Sequence, residues 1–78
     1  MITIVYTAHV GNKTAVASTK VRTVSDAADT LYMVLTAHYG DVDKARADAN
    51  SLERAFKNKK QRRFDLIDVG KFAFAVTR

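Results

Sequence analysis

The sequence predicts an α+β two-layer domain: an antiparallel sheet of three or four strands with two helices on one face, in the order ββααβ or ββααββ. Three observations lead there. Apolar and polar residues alternate from Ile2 to His9, apolar residues recur at three- and four-residue steps between Ala27 and Phe56, and alternation returns from Phe72 to Thr77. Residues 1–78 are read as one domain, because a chain of this length buries roughly 60% of its unfolded surface and has no apolar area left for a second core.

The first strand places Ile2, Ile4, Tyr6 and Ala8 on one face and Thr3, Val5, Thr7 and His9 on the other. Gly11 and Asn12 then read as a type II′ hairpin turn, with glycine at the first central position. A second strand is expected from Thr14 to Val24. Ser18, Lys20 and Arg22 share one of its faces, and Ala17, Thr19 and Val21 the other, as suits a sheet covered on one side.

Ser25 is the expected N-cap of the first helix, with Asp26 and Asp29 near the positive end of its dipole. Ala28, Leu31, Leu35 and His38, flanked by Ala27 and Val34, trace its buried stripe. Gly40 supplies the left-handed residue that ends it, and Asp41 can cap the next helix at once, so the two helices are antiparallel or steeply crossed neighbours. In the second helix Val42, Ala45, Ala49, Leu52 and Phe56 form the apolar face. Lys44 with Asp48, and Glu53 with Lys57, are spaced for ion pairs on the wet side.

The last segment, RRFDLIDVGKFAFAVTR, is strand-like. Asp68 to Lys71 reads as a hairpin turn, giving four strands, or Gly70 as a bulge in one long strand, giving three. Within it GKFAFAV resembles the RNA-contacting strand of the RNA-recognition-motif family, whose pattern is K/R-G-F/Y-G/A-F-V-x-F/Y. Here the first two positions are inverted to Gly70-Lys71 and the terminal aromatic is missing. Phe72 and Phe74 are therefore expected in the core, together with Leu31, Leu35, Leu52 and Phe56, and not on a base-stacking face.

Composition narrows the function. There is no cysteine, which excludes a disulfide framework and thiolate metal ligation and fits a cytoplasmic protein. The longest stretch suggestive of a membrane, TLYMVLTAHYG, falls well short of the ~20 residues needed to span, and the N-terminus lacks the marks of a secretory signal. His9 and His38 stand alone in different elements, and the three glycines form no phosphate-binding loop. Asp41 and Asp43 are accounted for by helix capping. No catalytic residue, metal site or cofactor is expected.

Charge is the remaining signal. Residues 1–24 carry Lys13, Lys20 and Arg22 without an acid. Residues 25–53 carry Asp26, Asp29, Asp41, Asp43, Asp48 and Glu53 against Lys44 and Arg46. Residues 54–78 set Arg54, Lys57, Lys59, Lys60, Arg62, Arg63, Lys71 and Arg78 against Asp65 and Asp68, so this segment alone carries more positive charge than the net +5 of the whole chain. Lys57, Lys59 and Lys60 lie where cations oppose a helix C-terminus. The expected binding surface is Arg54, Lys57, Lys59, Lys60, Arg62 and Arg63, joined by Lys20 and Arg22 from the sheet.

A two-signed surface of this kind suits a non-catalytic protein that docks on a host protein or ribonucleoprotein machine and inhibits or modulates it. In size and style the chain is similar to small phage-encoded inhibitors, including anti-CRISPR proteins. The alternative expectation is direct DNA or RNA binding through the cluster at 54–63. Open sheet edges and a thin core also point to homodimerisation.

Overall fold

The computed structural model describes all 78 residues. The elements are β1 (Ile2–Val10), β2 (Lys13–Val21), α1 (Val24–Tyr39), α2 (Val42–Lys57), β3 (Arg63–Asp68) and β4 (Phe72–Thr77). The four-strand alternative is therefore the correct one. All neighbouring strands are antiparallel, in the spatial order β2-β1-β4-β3. The first and last strands of the chain lie side by side at the centre of the sheet.

Local chemistry sets the turns. Gly11 has φ +61°, and Asn12 does not have positive φ, which is the type II′ pattern. In the second hairpin the Lys71 N–H donates to the Asp68 carbonyl at 2.9 Å. Gly70 takes φ +82° at the third turn position, as a type II turn requires.

Helix α1 begins two residues earlier than an N-cap at Ser25 would place it. Thr23 is the N-cap, and its hydroxyl accepts from the Asp26 N–H at 3.0 Å. Strand β2 ends correspondingly early, at Val21 and not at Val24, because the chain must leave the sheet to place Thr23. Gly40 closes α1 at φ +64°, with its N–H on the Thr36 carbonyl. The Asp41 carboxylate then accepts from the Asp43 and Lys44 N–H groups at 3.0 and 3.1 Å, so the two helices reverse direction almost without a loop.

One apolar core lies between the helices and the sheet. The strands contribute Ile2, Ile4, Phe72, Phe74 and Val76; α1 contributes Ala27, Ala28, Leu31 and Leu35; α2 contributes Ala45, Ala49, Leu52 and Phe56. Phe72 and Phe74 are 2% and 1% exposed, so neither is open for base stacking. Paired alanines on the two helices let their backbones approach closely, while the aromatic rings fill the space above the sheet.

Two expected burials and two expected pairings fail. Val42 is exposed because the first turn of α2 overhangs the end of the core. His38 is exposed, its ring tied to the sheet by a hydrogen bond between Nε2 and the Tyr6 hydroxyl. Neither the Lys44–Asp48 nor the Glu53–Lys57 pair forms. Instead Lys44 Nζ sits 4.1 Å from the Tyr39 ring centre, Tyr39 donates to Asp48 at 2.8 Å, and Arg46 stacks 3.9 Å from the Tyr32 ring centre. Helix-to-helix contacts outcompete pairs that would gain only about 0.2–0.5 kcal/mol along one exposed helix.

The two sheet edges differ. The residues of β3 alternate between exposed and half-buried, and α2 packs against it. Nearly all of β2 is exposed, although α1 reaches it.

Candidate binding surface

The direction of each element decides which charges meet. Strand β2 and helix α2 end, and strand β3 begins, at the same end of the molecule. Across the sheet there, Lys20 pairs with Thr3, Thr3 with Thr77, and Thr77 with Arg63. Lys20 and Arg63 thus stand on opposite edges, three strand spacings or about 14 Å apart.

Between them the connection from α2 to β3 is held as a platform. Asn58 caps α2 with its N–H on the Ala55 carbonyl, its side-chain oxygen accepts from the Lys60 N–H at 3.0 Å, and its carbonyl accepts from the Gln61 N–H at 2.9 Å. Arg78 locks this turn from the sheet side. Its Nε donates to the Gln61 carbonyl at 2.8 Å, its terminal nitrogen donates to the Asn58 carbonyl at 2.7 Å, and its guanidinium lies 4.5 Å from the Phe56 ring centre. These carbonyls sit at the negative end of the α2 dipole, so a cation is the natural partner.

Lys57, Lys59, Lys60 and Arg62 are exposed on this platform. Lys20 and Arg22 lie at the same end, on and just beyond β2. None of these six residues has an ion-pair partner. The remaining two expected residues are partly engaged. Arg54 donates to Ser51 Oγ at 3.2 Å along α2. Arg63 Nε contacts both Asp65 oxygens at 3.0 and 2.8 Å, and that hydrogen bond and charge raise the Arg63 pKa further above its ordinary value. Of the two other basic residues near the end of the sequence, Arg78 is consumed structurally and Lys71 lies at the opposite end of the sheet, where its carbonyl accepts from the His9 N–H.

That opposite end holds a feature that sequence reasoning missed. A cavity of about 240 Å³ is lined by His38, Tyr39, Asp41, Lys44, Asp68, Lys71 and Phe72. Its two lysines and two aspartates balance, and Asp41 is already committed to capping α2. Burial, and then the hydrogen bond to Asp48, hold the Tyr39 phenol protonated well above the ordinary tyrosine range; burial alone raises Tyr6. The signal was absent from the sequence because the cavity joins residues from three separate segments.

No helix is long and apolar enough to cross a membrane. Compared with protein-family models, with curated proteins and with solved structures, the chain finds no match in any of the three.

Proposed function

We propose that the protein is a non-catalytic docking protein whose basic end seats on an acidic or phosphate-bearing patch of a protein or ribonucleoprotein machine, and inhibits or modulates that machine by occupying the patch. In this respect it would act in the manner of small phage-encoded inhibitors such as anti-CRISPR proteins. The observation that carries the reading is the gathering of Lys20, Arg22, Lys57, Lys59, Lys60 and Arg62 at one end without a single carboxylate partner. Unpaired cations on a rigid platform lose little on docking, since no internal ion pair must first be broken.

The helical acids support a protein-bearing partner over bare nucleic acid. Asp26, Asp29, Asp43 and Glu53 form no ion pair, and a naked phosphate backbone approaching the helical layer would meet them. Direct DNA or RNA binding is the second reading, favoured by the width of the basic end.

Replacing Lys57, Lys59 and Arg62 together by glutamate separates the two. With the fold verified by circular dichroism, docking predicts weak binding of free nucleic acid by the parent and loss of the co-purifying partner by the variant, with or without nuclease. Direct binding predicts tight parent binding near physiological salt, with a log–log salt slope that falls by roughly 0.7–0.9 per contact removed. A folded variant that retains every interaction would place the function on another surface.

A further inference from the structure

We propose that β2 is a self-pairing edge, at which a second copy of this chain adds its own β2 antiparallel to give one continuous sheet across the dimer. The inference goes beyond the docking role and does not depend on it.

The two edges of the sheet are guarded differently. Strand β3 is short and carries Arg63, Asp65 and Asp68 among its six residues. Strand β2 runs nine residues in unbroken register with β1, without proline or bulge, and its charges, Lys13 and Lys20, lie near its two ends. Charges, prolines, bulges and shortness are the devices that keep edges single, and the middle of β2 has none of them.

The backbone shows which groups are free. The His9 N–H bonds the Lys71 carbonyl on the β4 side, so odd-numbered β1 residues turn their backbone toward β4 and even-numbered ones toward β2. Their partners Ala15, Ala17 and Thr19 therefore turn inward. The backbone N–H and C=O groups of Thr14, Val16, Ser18 and Lys20 point away from the sheet.

A two-fold axis at Ala17 satisfies all of these groups together. It pairs Val16 with Ser18 of the other copy and Thr14 with Lys20, and places Ala17 opposite itself. No like charges face each other. Antiparallel addition also sends the two basic ends to opposite ends of the dimer, which lessens the repulsion between two chains of net charge +5. Beside β2 an apolar trough of about 130 Å³ runs between the strand and α1, lined by Ile4, Tyr6, Ala17, Thr30, Val34 and Phe74 among others. The exposed Met33 stands on the same shoulder of α1 as Thr30. The second copy brings its own trough and its own Met33 to the other side of the axis.

Sedimentation equilibrium across a wide concentration range should give twice the mass of one chain. Val16→Pro removes an outward donor without breaking a bond to β1, and should return the single-chain mass. Because that variant can also weaken the strand, Ala17→Cys supplies an independent test in a chain with no other cysteine. Oxidised glutathione should convert it to a disulfide-linked dimer, taking up the two thiol hydrogens as reduced glutathione, much faster than it converts Ile67→Cys on the opposite edge. A single-chain mass at every concentration, or equal cross-linking of the two cysteine variants, would overturn the proposal. So would a single-chain protein in which Val16→Pro abolishes capture of the docked partner, since β2 would then take a strand of that partner.

Discussion

Arg78 and Phe56 are joined across the end of the molecule, the guanidinium 4.5 Å from the ring centre and its nitrogens donating to two carbonyls of the connection that follows α2. This contact ties the last residue of the sequence to the C-terminus of the second helix, and through it fixes the platform that presents Lys57, Lys59, Lys60 and Arg62. Arg78 counts toward the positive charge of residues 54–78, yet it supports the basic end instead of presenting its own charge there.

Arg78→Ala should therefore lower stability by about 1–2 kcal/mol, from charged hydrogen bonds and the lost ring contact. Urea denaturation measures the change. Arg78→Lys should recover only part of it, because an ammonium cannot place two donors in the fixed fork of a guanidinium. Hydrogen exchange at Lys60 and Gln61 should accelerate in the alanine variant.

Truncating the core is expected to cost far more. Phe74 is almost fully buried and touches Tyr6 and Phe72, with ring centres at 4.7 and 5.7 Å. Phe74→Ala should lose about 3–5 kcal/mol, most of the stability of a domain this small. A loss under about 1 kcal/mol would show that the ring is not held between sheet and helices.

The start of α1 distinguishes two neighbouring residues. Thr23→Ala removes the hydroxyl that accepts from Asp26 and should cost about 1 kcal/mol. Ser25→Ala, at the second residue of the helix, should be close to neutral, and thermal melts of the two variants measure both effects. Equal effects would mean that the cap is shared.

Alkaline pH should weaken the fold through Tyr39. Burial and Asp48 raise its phenol pKa in the folded state, so the stability this contributes is complete below the ordinary phenol value and is lost as pH rises beyond it. The unfolded chain then releases a proton that the folded one retains. Tyr39→Phe should flatten the fall of the urea midpoint above about pH 10. An unchanged slope would assign the alkaline loss to other groups.

Much of this architecture is legible along the chain. Strand alternation, the glycines at 11 and 40, and the Asp41 cap act over a few residues, so composition and spacing suffice to find them. The same holds for the amphipathic face of α2, although its first residue, Val42, lies outside the core. Thr23 was missed in favour of Ser25 because both residues can cap, and only the path of the chain leaving β2 chooses between them.

The sequence by itself determined the element types and their order up to the last segment, whose division into one strand or two it left open, along with the aromatic core and the polarity of charge from one segment to the next, because each follows from local periodicity and turn chemistry. Tertiary structure alone decided that β1 and β4 are central and β2 is a bare edge, that Lys44 and Arg46 stack on tyrosines of the other helix and not beside acids of their own, and that Arg78 supports the basic end while Lys71 leaves it. Each of these depends on contacts between residues far apart in the chain. Such contacts have no period to read, and competing partners of similar strength are separated only when packing brings one of them within reach.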